Sequence, residues 1–492
     1  MSTPALLGID LGTTGCKAAL YTPDGTLLGS AYLEYGLSQP APGHVEQDAE
    51  EWWALTCQAI REAVAVAGIS GERVAALGVS SQGISFVPID AAGRPLGPAI
   101  TWLDTRASAE AAGIMARYSP LALYRLTGKR ASAVYVLPKL LWLRQHRPAL
   151  YREAAAFVMA HDFLVHCFSG HIVTDHSLAS GTLLYDVTRL AWSDELLAAF
   201  GLSLAQLPTV DWAGTPVGSV MPHVADRLGL GRGTLVVVGG QDQKCAALGA
   251  RIQPGVATVS LGTATAISVL TDHPAFEQEA RVPLCPFVVP GYWDLEGVVG
   301  TAGAALKWLR DTLFPHLSYD ALTALAASSP PGANGVRFYP HLAGATSPHW
   351  QPDVHGAYLG LQLATSAGDM VRAVLEGVAF QIRANLAVIE DAAGAVQALM
   401  LFGGGARSAL WREIIAAVTG KPVALALTPD IAGWGAALLA GVGAGLIKHR
   451  LGKTAAGSAA IFGASLGAIE RYDELYRAYR QEEAALLAAA RA

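Results

Sequence analysis

The stretch Ile9-Asp10-Leu11-Gly12-Thr13-Thr14-Gly15 places one carboxylate, two threonine hydroxyls and two glycines between apolar runs. This pattern predicts a strand, a tight glycine turn and a second strand. Glycines let backbone N–H groups approach an anion closely and the threonines add donors, so the turn suits a bound phosphate. An acid beside a phosphate calls for a cation such as Mg²⁺ between them. The alternative is an ordinary β-hairpin in which Asp10 and Thr13 only form turn hydrogen bonds.

A similar stretch occurs about 250 residues later in the chain. Leu261-Gly262-Thr263 lies in the same apolar frame as Leu11-Gly12-Thr13, while Ser260 replaces Asp10. The repeat predicts two similar halves that each begin with a glycine-turned hairpin and hold a polyphosphate between them. The acidic copy would face the metal and the terminal phosphates, and the neutral copy would contribute backbone and hydroxyl donors. Chance similarity of apolar strands around a glycine is the alternative.

Composition limits the classes of partner. The chain has 492 residues, 52% of them hydrophobic, and a net charge of −6, which suggests a globular protein with two or more cores. Basic residues form no run and are not interleaved with aromatics, so we expect no nucleic-acid partner. The five cysteines form no CxxC pair, which favours reduced thiols over disulfides or zinc. No basic region precedes the first apolar run, so no secretion signal is expected.

One segment resembles a membrane span. The uncharged stretch 431–447 is shorter than the ~20 residues that a spanning helix needs, and it is rich in glycine. We interpret it as a buried helix that packs closely against a neighbour. The sequence therefore predicts a cytoplasmic protein without a membrane partner.

Polar residues follow a predicted buried strand at 74–80. This strand runs into Ser81-Gln82-Gly83-Ile84. In α/β proteins the carboxyl ends of strands border the ligand cleft, so these residues are candidates for substrate contact. A plain turn is the alternative.

The segment Trp102-Leu103-Asp104-Thr105-Arg106 combines an aromatic ring, a carboxylate and a guanidinium. Such a set suits the hydroxyl groups of a sugar. An ion pair between Asp104 and Arg106 at the surface is the alternative.

Asp242 is the candidate general base. It follows the apolar strand 234–238 and the glycines Gly239 and Gly240, and a helical pattern begins after it. An aspartate at a helix N-terminus commonly serves as a cap without any catalytic role. A carboxylate at the carboxyl end of a strand is also well placed to meet a cleft. Both interpretations stay open from the residues alone.

Three consecutive glycines mark a further loop. Gly403-Gly404-Gly405 follows the strand 399–402, and a helix is predicted from Ser408 to Thr419. Strand, glycine loop and helix form a recurrent nucleotide-binding arrangement. None of these loops contains GxxxxGK[ST], so an ordinary P-loop fold is not expected.

Several motifs together resemble the FGGY carbohydrate kinases. The segment from Gly356 through Asp369 to Glu376 fits a specific signature of that family, and the blocks 102–106, 239–242 and 402–408 follow in the family's order. The resemblance implies an α/β fold with two actin-like, ribonuclease-H-like ATPase domains and a central cleft. We expect residues 1–243 to form the sugar-side domain and residues 244–492 the nucleotide-side domain.

The resemblance also implies roles for individual residues. Asp242 would be the base for the sugar hydroxyl, and Asp10 would hold Mg²⁺ at the phosphates of ATP. The phosphate and nucleotide contacts would come from Thr13, Thr14, Lys17, Gly262, Thr263, Gly403, Gly404, Gly405 and Ser408. The sugar side would be formed by Gln82, Gly83, Trp102, Asp104, Arg106 and Asp242.

The sequence is most similar to the xylulokinase branch but departs from it at two places. Ile84 stands where that branch carries a histidine, and Gly344-Ala345-Thr346 replaces a frequent Gly-Glu-Arg. The expected activity is ATP-dependent phosphorylation of a pentulose such as D-xylulose, with another ketose, an aldonate or a polyol as the alternative. An actin-like ATPase and a non-catalytic sugar sensor are the rival classes. The oligomeric state is left open, with a homodimer as one expectation.

Overall fold

The computed structural model describes residues 3–426, 428, 430–448, 451 and 461–490. Within these ranges the chain forms strands, α-helices and four short 3₁₀ helices at Gly71–Arg73, Leu204–Gln206, Ala333–Gly335 and Gly405–Arg407. The strands, in chain order, are β1 (Ala5–Leu11), β2 (Gly15–Tyr21), β3 (Leu27–Glu34), β4 (Glu46–Gln47), β5 (Val74–Ser81), β6 (Phe86–Ile89), β7 (Ala99–Ile100), β8 (Ala156–Met159), β9 (Val173–Asp175), β10 (Tyr185–Asp186), β11 (Ala191–Trp192), β12 (Thr209–Asp211), β13 (Pro216–Ser219), β14 (Leu235–Gln241), β15 (Val256–Leu261), β16 (Thr265–Thr271), β17 (Leu284–Pro286), β18 (Trp293–Val299), β19 (Arg337–Tyr339), β20 (Ala357–Leu359), β21 (Ala398–Phe402) and β22 (Val423–Leu425).

The α-helices, in the same order, are α1 (Ala49–Ala67), α2 (Ser108–Arg117), α3 (Pro120–Thr127), α4 (Val136–His146), α5 (Pro148–Glu153), α6 (Ala160–Ser169), α7 (His176–Ser180), α8 (Asp194–Phe200), α9 (Pro222–Leu228), α10 (Asp242–Gly249), α11 (Gly303–Leu313), α12 (Tyr319–Ala327), α13 (Ala367–Ala393), α14 (Ala409–Thr419), α15 (Ile431–Gly443) and α16 (Leu466–Ala489).

Two six-stranded sheets dominate the molecule. The first has the order β13-β14-β5-β1-β2-β3, and the second has the order β17-β18-β16-β15-β21-β22. In the first, β1 pairs antiparallel with β2 and parallel with β5. In the second, β15 pairs antiparallel with β16 and parallel with β21. The repeat predicted from the two hairpins is therefore confirmed in the topology of the sheets.

The first three strands form the predicted antiparallel meander, with β2 between β1 and β3. Side chains on both faces of β1 and β2 are buried, which explains why these strands are almost continuously apolar. The helix predicted after residue 47 is α1, and Asp48 caps it by accepting a hydrogen bond from the amide of Glu50. The capping box at Ser366 and Asp369 opens α13 as predicted.

The segment 431–447 contains the buried helix α15, which packs on the first sheet and on α10. Backbones approach closely here, because a Cβ on Gly8 of β1 would lie 1.9 Å from the carbonyl oxygen of Gly433. On the other side, a Cβ on Gly435 would lie 1.9 Å from the carbonyl oxygen of Cys245. The glycine content of this segment is therefore a packing requirement. Among the described residues, no helix is both long and apolar enough to cross a membrane.

Elements from each half also pack into the core of the other half. Tyr124 of α3 belongs to the core built around the second sheet, and Trp434 of α15 packs with Tyr21 of β2. A division of the chain at residues 243 and 244 stays a prediction.

Candidate active site

The first glycine turn joins β1 to β2 and is held from three directions. Trp102 donates from its indole Nε1 to the Thr13 hydroxyl at 2.8 Å. The Gln47 side chain donates to the carbonyl of Thr13 at 2.7 Å, and the Tyr35 hydroxyl donates to the carbonyl of Gly12. Because every one of these bonds comes from outside the turn, the loop has a fixed shape before any ligand arrives.

Asp10 lies in β1 just before this turn. Its Oδ1 accepts a hydrogen bond of 2.8 Å from the Ser80 hydroxyl on β5, so the carboxylate faces the end of the sheet and makes no turn hydrogen bond. Burial, together with the charges of Asp430 and Asp242, raises the pKa of Asp10 to about 8, while Ser80 and Lys17 act in the opposite direction. A group of three carboxylates with one nearby lysine has an excess of negative charge that a divalent cation would balance.

Asp430 was missed by sequence reasoning as a site residue. It caps α15 through the amide of Gly433, and its Oδ2 lies 3.6 Å from Lys17 Nζ. The Tyr21 hydroxyl donates to its backbone carbonyl. Lys17 therefore forms an ion pair with a carboxylate of the second half, and its contact with a phosphate stays a prediction. Since Asp430 is 420 residues from Asp10 in the chain, no local pattern could have linked them.

The second glycine turn joins β15 to β16 and is one residue shorter than the first, since Leu261 pairs with Thr265 whereas Leu11 pairs with Cys16. The Ser260 hydroxyl accepts a bond of 2.9 Å from the amide of Ala266, across the hairpin. The carbonyl of Thr263 accepts bonds from the amides of Ala302 and Ala304 at the start of α11. The second turn is therefore held largely by backbone amides of neighbouring segments. Such an arrangement suits a turn that binds a ligand through its own amides.

A cavity of about 1010 Å³ opens beside this second turn. It is lined by five of the predicted nucleotide residues, namely Gly262, Thr263, Gly404, Gly405 and Ser408. Sequence reasoning missed the other residues on its wall, among them Lys307, Trp308, Asp311 and Tyr319. Gly403 and the first turn, including Asp10, Thr13, Thr14 and Lys17, are not part of this wall as described.

Gly403 has a structural reason to be glycine. Its φ is +91°, and a Cβ there would lie 2.8 Å from the carbonyl oxygen of Leu261. The loop after β21 can therefore pass close to the second turn only with glycine at this position. This contact brings the glycine loop and the second turn to one cavity.

Asp242 begins α10 at the carboxyl end of β14, while Gln241 occupies the capping position. Its Oδ1 accepts bonds from the Gln241 side chain at 2.6 Å and from the amide of Gln243 at 2.7 Å. Burial is the main cause that raises the pKa of Asp242 to about 6, and the charge of Glu296 adds to it. A carboxylate with this pKa is ionised at neutral pH and is a better proton acceptor than a free aspartate.

A buried ion cluster lies next to Asp242 and was also missed. Lys244, two residues after Asp242 in α10, forms ion pairs with Asp294 at 2.6 Å and with Glu296, both on β18 of the second sheet. The pKa of Lys244 stays well above its ordinary value because these carboxylates outweigh its burial. The cluster ties the helix that carries Asp242 to the second half.

The predicted sugar residues Gln82 and Gly83 lie beside the first turn. The Gln82 side chain is buried, donates to Gln47 at 2.9 Å and accepts from Ser85 at 3.0 Å. A Cβ on Gly83 would lie 3.0 Å from Cγ of Gln241, the neighbour of Asp242. Gln82 therefore supports the turn through Gln47, and Gly83 brings this loop against the loop of Asp242.

Ile84 adopts an unusual backbone conformation, with φ at 55°. This region is strained for a β-branched residue, and such outliers cluster at ligand sites. The Ile84 side chain is close enough to Gly181 that a Cβ there would lie 2.7 Å from its Cγ2.

Asp104 and Arg106 form an ion pair, but it is buried and not at the surface. Arg106 Nη2 lies 2.7 Å from Asp104 and 2.7 Å from Glu46, and the two side chains of the pair are at most 4% exposed. The same oxygen of Asp104, Oδ2, also accepts a hydrogen bond of 2.6 Å from the amide of Val45. Trp102, by contrast, is 40% exposed, so its ring is open to a ligand. The role of the pair in sugar binding stays a prediction.

Comparisons with known proteins agree with this arrangement. The model of the N-terminal domain of the FGGY family of carbohydrate kinases matches residues 5–249, and the C-terminal model matches residues 257–444. The chain belongs to the FGGY family of carbohydrate kinases. The family resemblance inferred from the motifs is confirmed, and so is the activity of an ATP-dependent sugar kinase.

Relatives in this family extend along nearly the whole chain. Xylulose kinase of Bacillus subtilis is 29% identical over 96% of this chain and 96% of its own length. Gluconokinase of the same organism is 30% identical over 84% of this chain and 82% of its own. The crystal structure of xylulose kinase from Rhodospirillum rubrum is 29% identical, with a TM-score of 0.92 over 99% of this chain and all of that one. The predicted fold of two actin-like ATPase domains is thereby confirmed.

Proposed function

We propose that this FGGY kinase phosphorylates a hydroxyl of a pentulose, D-xylulose first among them, with Asp242 as the general base. The observation that carries the proposal is the placement of Asp242. It stands at the carboxyl end of β14, beside Gly83 of the sugar loop through Gln241, and within the electrostatic range of Asp10. These contacts support a proton acceptor between the loop of Gly83 and the first glycine turn.

In the proposed reaction, the sugar oxygen bonds to the terminal phosphorus of ATP while the bond to the ADP oxygen breaks. The proton of the sugar hydroxyl passes to Asp242. Even with a raised pKa, the carboxylate is far less basic than an alkoxide, so it accepts the proton late, once the oxygen has begun to bond to phosphorus. Gln241 and Gln243 both donate to Oδ1 of Asp242, and no bond to Oδ2 is found within the described part of the chain, so we assign Oδ2 to the sugar hydroxyl.

Mg²⁺ fits the acidic end of the site. Within the described residues, no group of three or more His, Cys, Asp or Glu side chains is placed to hold a metal by itself. Magnesium in phosphoryl-transfer enzymes is commonly bound by one or two carboxylates together with the phosphates of the substrate. Asp10 is the residue that would hold it, and the metal would neutralise charge on the phosphoryl group in transfer. Thr13 and Thr14 would contribute hydroxyl contacts on the same side.

The identity of the sugar depends on the loop of Gln82 to Ile84. The aliphatic side chain of Ile84 offers no hydrogen bond. A sugar hydroxyl that would bond to the histidine of the xylulokinase branch therefore needs another partner here. An aldonate is the second candidate, because a gluconokinase is as similar in sequence as the xylulose kinases are.

The test is a coupled ADP-release assay over pentuloses, hexuloses, aldonates and polyols, with wild type and Asp242→Asn. We expect turnover on a pentulose and a loss of about 10³-fold in kcat for the variant, with little change in ATP binding. Asp226→Asn is the matched control, since Asp226 forms an exposed pair with Arg232 on the surface.

Three results would contradict the proposal. ATP hydrolysis that no sugar alters would indicate an actin-like ATPase. Sugar binding without phosphate transfer would indicate a sensor. Near wild-type turnover of Asp242→Asn on the best sugar would remove Asp242 from the role of base.

A further inference from the structure

A second charged site lies outside the residues discussed so far. Lys129, in the loop after α3, is only 6% exposed, and its ammonium has no hydrogen-bond partner within the described part of the chain. A buried ammonium without a partner loses its hydration and gains nothing in return. Other buried lysines here avoid this cost, since Lys139 donates to two backbone carbonyls and Lys244 is paired with two carboxylates.

Lys129 lines a cavity of about 470 Å³. Its wall combines residues 115–135 with residues 280–283 and 343–352, so it lies where the loop after α3 meets the second half. The wall of this cavity contains two charged residues, Lys129 and Arg130, and no Asp or Glu among the described residues. Aromatic side chains, including Tyr124 and Trp350, form much of the rest.

Arg130 already has partners. Its guanidinium donates to the backbone carbonyls of Glu279 and Ala280, at 2.5 and 2.9 Å. These bonds hold the loop against the second half but leave the positive charge without a counter-ion. Arg130 and Lys129 therefore give the cavity a positive potential, and among the described residues the ammonium of Lys129 is the one of the two cationic groups without any hydrogen-bond partner.

We propose that this cavity binds a small organic molecule through a carboxylate or phosphate group, with the ammonium of Lys129 as its counter-charge. An anionic oxygen supplies the missing partner of Lys129, and the aromatic walls suit the carbon body of the ligand. The cavity shares no wall residue with the larger cavity beside the second turn, so the two are separate sites. The proposal does not depend on the phosphoryl transfer proposed above, because binding is measurable without turnover.

The anionic group could come from two sources. It is either the acid end of the sugar substrate, as in an aldonate, or part of a separate metabolite that binds between the halves. Tyr135 lines the cavity and lies within electrostatic range of Glu296, which is itself a neighbour of Asp242. Both sources are therefore compatible with the position of the cavity.

Binding is tested by calorimetry on the full chain with sodium D-gluconate and with inorganic phosphate, in wild type and Lys129→Met. We expect saturable binding of at least one anion to wild type, weakened by about 10-fold or more in Lys129→Met and retained in Lys129→Arg. Lys129→Met should also raise the melting temperature without ligand, because it replaces a buried, unpaired charge by an uncharged side chain of similar shape. Lys421→Met is the matched control, since Lys421 is paired with Glu390 far from this cavity, and it should leave anion binding unchanged.

Steady-state kinetics then separate the two sources. If the acid belongs to the substrate, Lys129→Met raises KM for gluconate and leaves KM for neutral ketoses unchanged. If the ligand is a separate metabolite, the anion changes KM or kcat for a neutral ketose in wild type and has no effect in Lys129→Met. The proposal is overturned if neither anion binds, or if Lys129→Met binds both as tightly as wild type, which would place them at the phosphate turns.

Discussion

The two glycine turns lie at matching places in the two sheets but differ in electrostatic character. In each, a buried strand runs into a Leu-Gly-Thr turn and returns antiparallel, with a parallel strand on its other side. The first turn carries Asp10 among the charges of Lys17, Asp242 and Asp430. At the matching position the second turn carries Ser260, which is occupied by a hydrogen bond across its own hairpin.

This difference shows how a duplicated scaffold divides its work. The backbone of a turn can approach phosphates in either half. A cation, however, is attracted only by a carboxylate. A shifted pKa is needed only in groups that lie near the proton in transfer. The acidic turn accordingly lies with the candidate base, while the neutral turn lines the large cavity with the glycine loop after β21. We expect metal and proton chemistry to depend on the first turn and nucleotide binding on the second.

The strongest way to test this division is to remove the side chain at the matching position of each turn. We expect Asp10→Ala to lower kcat by about 10³-fold, because the carboxylate that would hold Mg²⁺ is lost. Ser260→Ala should lower kcat by less than about 10-fold, since it removes one hydrogen bond within a hairpin. The measurement is ADP release at saturating sugar over a range of magnesium concentrations. Equal losses in the two variants would contradict the division.

The pH dependence provides a second test. Asp242 must be ionised to accept a proton, and burial raises its pKa to about 6. At saturating Mg²⁺, which would bind Asp10 in its ionised form, we therefore expect kcat/KM for the sugar to be constant above that pH and to fall about 10-fold per pH unit below it. The KM for ATP should change little over pH 5.5 to 8, because the walls of the cavity beside the second turn are mostly neutral. A parallel fall in ATP affinity would show that the two sides are not independent.

Local chemistry made much of this site predictable from the sequence. Glycine and hydroxyl residues at the ends of apolar runs identified both turns and the loop after β21, because such residues have few other uses there. The topology of the sheets followed from the repeat of one hairpin. What the sequence did not reveal depends on contacts between distant segments.

Asp430 shows why those contacts escaped prediction. In the sequence it belongs to no site motif, and its contact with Lys17 exists because α15 folds back onto the first sheet. Gln82 is a second example. The sequence predicts that it contacts the sugar, but it does not reveal that the side-chain amide bonds to Gln47 and Ser85. Lys129 stood in no motif, and only its burial without a partner distinguishes it.

A third prediction concerns the neutral side. Gly403→Ala would place a Cβ 2.8 Å from the Leu261 carbonyl in a backbone with φ at +91°, so the glycine loop must move away from the second turn. We expect KM for ATP to rise by about 5- to 10-fold with a smaller change in KM for the sugar. Gly233→Ala is the matched control, since Gly233 is not on the wall of this cavity and no heavy atom lies within 4 Å of a Cβ at that position. A larger effect on the sugar than on ATP would contradict the assignment.

The smallest expected effect is on stability, and it has opposite signs in the two turns. The folded-state pKa of Asp10 is about 8, above the ~3.9 of an unfolded chain, so the charged form is disfavoured by folding. The resulting loss of stability is absent below pH ~3.9, grows as the pH rises and is complete above about 8. Asp10→Asn removes this titration and keeps an acceptor for Ser80, so it should raise the melting temperature in magnesium-free buffer by about 1–3 °C at pH 8 and by less at pH 5.

Ser260→Asp makes the reverse change in the second turn. It places a carboxylate at a buried position without a lysine partner and removes the hydrogen bond from the amide of Ala266, so it should lower the melting temperature, and more at pH 8 than at pH 5. Differential scanning calorimetry of both variants at the two pH values measures the effect. If Asp10→Asn lowered the melting temperature at pH 8, the carboxylate would be stabilised by its surroundings without a metal, and the electrostatic reason for a cation beside the first turn would be lost. Changes of opposite sign in the melting temperatures of the two variants would show that the charge of Asp10 destabilises the first turn and that the second turn carries no such charge.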